Sequence, residues 1–284
     1  SFDSFLFRAI SGSRVLSCVL WRRYAKLDAD LSTTACDYYK VSSINDFCRA
    51  ERIFIASSRN YVLAVDRYLE VNGDRSTDCL VVPTHGLTWE AVQSAKKRYS
   101  QLAVISMEDL LSRDFLISVK ESQAKMEALP HEKLSELHAS VDNVLGTKNF
   151  LVRHLIQFFL QNCVPLHIAL SHEIDRLLCH GALISECIIA RDRKPLEAIF
   201  ARIAKNHGIK TTMINHGLMT WKFEVNQLFT NSFDCVDEVV VWGRHDRETI
   251  RRKQRLIRRE TPQIHISPQF FRYKAKKKKS SNQP

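Results

Sequence analysis

The sequence predicts an α/β fold: a Rossmann-like, mostly parallel sheet flanked by helices, with a helical insert. Two observations predict it. Short apolar runs of strand length alternate along the chain with longer segments in which apolar residues recur at helical spacing. Turn residues such as Gly, Pro, Ser and Asp follow most of these runs. A repeated β-α-β order favours parallel strands joined by right-handed crossovers.

The elements of the first half each have their own signal. An apolar stripe at helical spacing ends at Gly73, a residue that suits a helix C-terminus. Thr88 has an N-capping side chain, so the second helix is expected to begin just after it. In order, the predicted elements are a strand at Arg52–Ala56, a helix through Tyr61–Leu69, a strand at Cys79–Val82, a helix through Trp89–Tyr99 and a strand at Leu102–Ile105.

The insert covers about residues 109–180 and is helical, with breaks near Pro130, Gly146 and Pro165 that divide it into about three helices. After it the β-α-β order resumes. Pro195 suits a first helical position, and Gly208 suits the residue after the last one. The predicted elements are strands at Cys187–Ala190, Ile209–Ile214, Asp237–Val241 and Ile264–Ile266, and helices at Pro195–Gly208 and Arg244–Ile257.

Charge divides the chain into a neutral body and a basic end. Residues 244–284 carry fourteen Lys or Arg against three acidic residues, which accounts for the whole net charge of +11. Such a body is not expected to wrap nucleic acid over its folded surface. We predict a helical N-terminal segment (1–50), one α/β domain (51–268) and a basic, disordered tail (269–284).

Missing motifs argue against a dinucleotide dehydrogenase, a P-loop ATPase, a kinase and an α/β-hydrolase. The eight glycines are isolated, so no GxGxxG, P-loop or GxSxG sequence can be assembled. No CxxC or HxxxH pair occurs, and we expect no metal site, no tightly bound cofactor and free thiols in a reducing cytoplasm. The longest apolar stretch, Phe150–Leu170, is interrupted by polar residues and suits a core or interfacial helix. No secretory signal is apparent.

The candidate catalytic residues are Asp192 and His216, each of which follows a predicted strand. In open α/β sheets ligands bind beyond the carboxyl ends of the strands, so the two would share one crevice edge. A neutral imidazole is a capable general base that a nearby carboxylate can orient. The structural alternative stays open: His216 stabilises a turn, and Asp192 caps the helix that begins near Pro195. A similar His85-Gly86 turn follows the second strand.

Four sequence blocks, IIARD, AKNHGIKTTMINHG, DEVVVWG and IHISP, fall in this order between residues 186 and 268. This order resembles bacterial surface-carbohydrate and capsule polysaccharide biosynthesis transferases of the GT-B type, among them CDP-glycerol glycerophosphotransferases. The chain departs from their pattern at Asn215, where the family has Gln, and at Ile266, where it has Gly. The resembling part is under a third of the chain.

The resemblance implies an acceptor-side domain that works with a donor domain holding a nucleotide-activated donor. It implies a surface glycan as acceptor and work at the inner face of the membrane. His216 would be the base on the acceptor hydroxyl or a contact to the donor phosphates, and Asp192 would orient it or bind acceptor hydroxyls. The implied substrate contacts are Asn215, Gly217, His85, Ser57, Trp242 and Gly243. Because few residues follow Pro268, we expect the donor domain to be missing and the chain to be a truncated, inactive fragment.

A different class of function stays open beside the transferase. The lysines at 274–279 suit a non-enzymatic adaptor whose tail docks on an anionic membrane or on nucleic acid. Each lysine near an anionic bilayer contributes on the order of 1 kcal/mol, so such docking would be weak and sensitive to salt.

Overall fold

The computed structural model describes residues 44–83, 86–112, 114–145, 153, 157, 159–179, 183–192, 195–215, 233–256 and 259–267. These residues form one seven-stranded, all-parallel sheet with helices on its two faces, which confirms the predicted α/β, Rossmann-like fold. The strands are β1 (Arg52–Ile55), β2 (Asp78–Val82), β3 (Ala103–Ser106), β4 (Glu186–Ile189), β5 (Lys210–Ile214), β6 (Glu238–Val241) and β7 (Gln263–Ile266).

The helices occupy the segments between the strands. They are α1 (Ile44–Cys48), α2 (Arg59–Asn72), α3 (Gly86–Arg98), α4 (Met107–Leu110), α5 (Phe115–Glu127), α6 (His131–Leu145), α7 (Val164–Cys179), α8 (Pro195–Asn206) and α9 (Arg244–Leu256), and one turn of π-helix (Phe159–Cys163) precedes α7.

The strand order across the sheet is β3-β2-β1-β4-β5-β6-β7. The chain therefore moves outward from β1 in the first half, returns to the centre through the insert, and moves outward again from β4. β1 and β4 are neighbours, with Ile53 opposite Cys187 and Ile55 opposite Ile189. The reversal of direction between them is the topological switch point, where ligands bind in folds of this class.

The central strands are buried on both faces, as expected for a parallel sheet covered by helices. Ile53 and Ile55 of β1 pack into a core formed with α5, α7 and α8, while Phe54 between them packs into a second core with α2 and α3. The alternation follows from the two-residue period of a strand. The apolar runs noted in the sequence are therefore continuous because both of their faces are covered.

Local signals placed several helix ends correctly and one wrongly. Helix α8 begins at Pro195, and Gly208 with a φ of 72° reverses the chain after it, as predicted. Gly73, with a φ of 76°, ends α2 in the same way. The predicted cap at Thr88 is wrong, because α3 begins at Gly86 and Thr88 lies inside its first turn.

The insert contains the predicted helices in part. The break at Pro130 separates α5 from α6, and Pro165 is the second residue of α7, where the chain passes from π-helix to α-helix. Proline has no N–H to donate to the helical turn before it, which suits a point where the helix changes type. Buried Leu166 and Leu170 make this part of the apolar stretch a core helix. Gly146 lies outside the described residues.

Charges of alternating sign stand at the amino ends of four neighbouring strands. In the order of the sheet they are Asp78, Arg52, Glu186 and Lys210, each aligned with the next by strand register. Arg52 is buried and donates to both carboxylate oxygens of Asp78, at 2.7 and 2.6 Å. Burial, the largest single influence, would lower the pKa of Arg52, but the hydrogen bond to Asp78 and the charge of Asp78, with smaller contributions from Tyr68 and Glu186, together raise it. We call these four residues the charge ladder.

Residues 1–43 and 268–284 lie outside the described part, so the predictions of a helical N-terminal segment and a disordered tail stay predictions; within the first, Ile44–Cys48 is helical. None of the described helices combines the length and the apolar character needed to cross a bilayer.

Candidate functional site

The carboxyl ends of the strands bring most of the candidate residues to one edge of the sheet. Because β1, β4, β5 and β6 are consecutive in the strand order and parallel, the residues that follow them lie along a single line of loops. Five of the predicted site residues are placed there: Ser57 after β1, Asp192 after β4, Asn215 after β5, and Trp242 and Gly243 after β6. We call this line of loops the carboxyl edge.

The loop after β1 is held by a residue that sequence reasoning missed. Glu197, in the first turn of α8, is fully buried, and its Oε1 accepts a hydrogen bond from the backbone N–H of Ser57 at 2.7 Å. In nucleotide-binding sheets this position receives a ligand phosphate on a Gly-rich turn and a helix N-terminus. Here the backbone N–H of Ser57 donates to the side chain of Glu197 instead of to a ligand. This agrees with the absence of a Gly-rich turn in the sequence.

The loop after β4 is tied to the segment that enters β6. Asp192 is buried, and its Oδ2 accepts a hydrogen bond from the backbone N–H of Phe233 at 3.0 Å. Phe233 has a φ of 54°, in the left-handed region that a bulky side chain rarely adopts. The bond to Asp192 helps to hold that conformation. The roles predicted for Asp192, as partner of His216 or as cap of α8, stay predictions.

The loops after β5 and β6 are joined directly. The Asn215 N–H donates to the Val240 carbonyl at 2.9 Å, and the Asn215 carbonyl accepts from Nε1–H of Trp242 at 3.1 Å. Asn215 is buried, whereas Trp242 is partly exposed at the edge. A side chain added at Gly243 would meet no atom within 4 Å, so described neighbours do not require glycine there. The turns that carry Asn215 and Trp242 are thus neighbours, which is a requirement if both are to line one crevice.

Three predicted site residues, His216, Gly217 and His85, lie outside the described residues. The predicted pairing of His216 with Asp192, and the substrate contacts expected of Gly217 and His85, therefore stay predictions.

The helix after β6 has a buried polar face that the charge count did not reveal. Its arginines at 244, 251, 252 and 255 are exposed, as expected for a solvated helix. Lys253 is only 6% exposed, and its Nζ lies 5.6 Å from the centroid of the Phe233 ring. A spacing of three to four residues places the inward set on one side of α9. That set comprises Asp246, Thr249, Lys253 and Gln254.

The described residues contain one cluster of side chains suited to a metal ion, and it lies away from this edge. Asp175 and Cys179 near the end of α7 meet His207 after α8. Sequence patterns missed it because the ligands come from two helices and match no motif with fixed spacing. The described cysteines are free, as predicted. Burial raises the pKa of the Cys187 thiol and raises that of Cys235 to about 11, so both stay protonated near neutral pH.

Comparisons of the chain with family models, with curated proteins and with solved structures found no match. The fold and the placement of residues along the carboxyl edge are therefore the observations on which a functional proposal rests.

Proposed function

We propose that this chain is the acceptor-side domain of a GT-B-type transferase, which moves a sugar or sugar-phosphate-like group from a nucleotide-activated donor to a bacterial surface polysaccharide. One observation supports it most: Asp192, Asn215 and Trp242, which carry the resemblance, follow three adjacent strands of a parallel sheet. Residues 192 and 242 are 50 positions apart in the sequence, and the fold is what gathers them at the carboxyl edge.

The proposal assigns a role to each kind of side chain at this edge. The partly exposed indole of Trp242 offers a flat apolar surface to the C–H face of a sugar ring, with its N–H fixed on Asn215. His216 takes the proton of the acceptor hydroxyl as that oxygen attacks the activated donor. Asp192 orients this base or binds acceptor hydroxyls. The nucleotide leaves with the electron pair of the broken bond.

The loop after β1 supports the acceptor side of the assignment. Because Glu197 occupies the backbone donor of Ser57, a nucleotide phosphate would meet a buried carboxylate there. An ionised Glu197 would also repel the phosphate, and such repulsion is strong in a poorly solvated site. The donor phosphates are therefore assigned to another domain or to other residues, and neutral hydroxyls to this crevice.

The test measures how strongly the whole chain binds acceptor ligands. It compares variants at the carboxyl edge with a control variant at the amino edge. Saturation-transfer NMR with capsule oligosaccharides and poly(glycerol phosphate) reports acceptor binding. We expect Trp242→Ala to weaken acceptor binding by about tenfold or more, which corresponds to about 1.4 kcal/mol.

Two serines provide the matched control for that test. Ser57 follows β1 at the carboxyl edge, and Ser185 precedes β4 at the amino edge. Ser57→Ala should weaken binding, and Ser185→Ala should leave it unchanged. Equal effects of the two changes, or no binding of any saccharide or polyol phosphate, would refute the proposal. Binding to anionic vesicles that is lost when residues 269–284 are removed, without acceptor binding, would favour the adaptor instead.

A further inference from the structure

The end of the molecule opposite the carboxyl edge holds a cluster of metal-ligating side chains on two packed helices. Asp175 and Cys179 are four residues apart on α7, so their side chains lie on one face of that helix. His207 follows α8 directly, where its backbone N–H bonds the Ile203 carbonyl at 3.0 Å before Gly208 turns the chain. Buried apolar residues of α7 and α8 join the two helices in one core.

Three potential ligand atoms converge there. Nε2 of His207 lies 2.7 Å from Oδ1 of Asp175 and 3.9 Å from Sγ of Cys179, and all three atoms lie within 4.8 Å of one another. Tetrahedral zinc with bonds of about 2.0–2.3 Å separates such ligands by about 3.3–3.6 Å. Metal uptake thus needs the imidazole and the carboxylate to part by roughly half an ångström, which is a small movement for the exposed Asp175 side chain.

The same geometry argues against a nucleophilic triad. In a Cys-His-Asp triad the nucleophile and the carboxylate bind opposite nitrogens of the imidazole. Here the thiol and the carboxylate both approach Nε2 of His207, so the carboxylate cannot orient the ring for the thiol. Convergence of three ligand atoms on one point is instead the arrangement that a bound cation needs.

We propose that Asp175, Cys179 and His207 bind a zinc ion, with solvent in the fourth position, and that the ion joins the ends of α7 and α8. A thiolate and an imidazole favour zinc and related borderline metals over magnesium and calcium, which take oxygen ligands. The site is independent of the transfer chemistry proposed at the carboxyl edge. Its partial exposure gives the metal an entry path and makes the ion exchangeable.

The test replaces zinc with cobalt and follows its absorption in the intact chain. We expect Co²⁺ to produce the visible bands of tetrahedral coordination and a near-ultraviolet thiolate band, and Zn²⁺ to displace it. Cys179→Ser should abolish the thiolate band. Asp175→Asn and His207→Ala should each weaken cobalt binding by at least about tenfold. Asp175→Asn changes an exposed side chain, so it keeps the test sound if another variant fails to fold.

Two residues of the same types serve as matched controls. Cys48 is also a free cysteine, and His172 is an exposed histidine of α7, but neither belongs to the cluster. Cys48→Ser and His172→Ala should leave the cobalt spectrum and the affinity unchanged. A spectrum without the thiolate band, or one equally strong in Cys179→Ser, would overturn the proposal and leave only an ordinary hydrogen bond between Asp175 and His207.

Discussion

The polar side chains at the two ends of the parallel sheet differ in their main partners. At the amino edge, charges on neighbouring strands pair with each other: Arg52 binds Asp78, and Lys210 lies 2.9 Å from Glu238. At the carboxyl edge, side chains bind the backbone of loops instead, as Glu197 does at Ser57 and Asp192 at Phe233. The first arrangement aligns strands, and the second shapes the loops in which a ligand would bind.

The largest loss of stability is expected when the buried pair of the charge ladder is broken at Arg52. Arg52→Met leaves Asp78 as a buried carboxylate without its main partner, and loss of one member of a buried pair costs about 3–5 kcal/mol in the free energy of unfolding. Urea denaturation measures that loss.

Lys210→Met is the control for the ladder. It removes a cation of the same ladder whose side chain is 49% exposed, and such surface pairs contribute about 0–1 kcal/mol. Similar losses for the two variants would contradict the view that burial, rather than the row of charges itself, gives the ladder its stabilising role.

A smaller loss in the free energy of unfolding is expected from a substitution at the carboxyl edge. Glu197→Ala leaves the partly buried Ser57 N–H without this acceptor, so the cost is at most the roughly 1–3 kcal/mol of an unsatisfied buried donor. Glu197→Gln keeps a side-chain oxygen and should cost less. Native-state hydrogen exchange at Ser57 reports the bond directly: exchange should be faster in Glu197→Ala than in Glu197→Gln. An unchanged exchange rate in both variants would show that the bond does not hold this loop.

The smallest expected effect is the contribution of Asp237, at the amino edge, to the pH dependence of the free energy of unfolding. Burial alone would raise the pKa of Asp237, but hydrogen bonds from the Thr211 backbone and hydroxyl and from Lys205 hold it below the ordinary 3.8. Because the folded pKa is depressed, its stabilisation is present above about pH 4 and is lost as the pH falls through the folded pKa. The side chain is 39% exposed, so the amount is below about 1 kcal/mol.

Asp237→Asn tests that sign. The variant should be less stable than the wild type at pH 7, and the difference should shrink as urea midpoints are measured at lower pH, towards pH 3. A difference that grows on acidification would mean that the folded pKa is raised, contrary to the hydrogen bonds described.

A structural feature can be predicted from the sequence when it is determined by residues close to it in the chain. Pro195 and Gly208 act on their own backbone, and both helix ends were predicted correctly. The cap predicted at Thr88 was wrong because one capping preference does not fix the start of a helix. Helix α3 begins at Gly86, two residues before Thr88. The predicted line of candidates along the sheet followed from the β-α-β order alone, since parallel strands end at a common edge.

Partners that are distant in sequence were beyond such reasoning. Glu197 meets Ser57 across 140 residues, and nothing in the residues around either one specifies that bond. The charge ladder depends on the register of four strands, which forms only when the insert returns the chain to the centre of the sheet. The cluster at Asp175 and His207 depends likewise on how two helices pack.

The place of the insert has a consequence for how the chain folds. Each half of the sheet forms from short β-α-β units, but β1 meets β4 only after the insert has been crossed. Ser185 and Glu51, which bond just before these strands, are 134 residues apart. Closing so long a loop is entropically unfavourable and slow, so the halves should form first and their junction last. The crevice at the switch point would then be completed in the final step of folding.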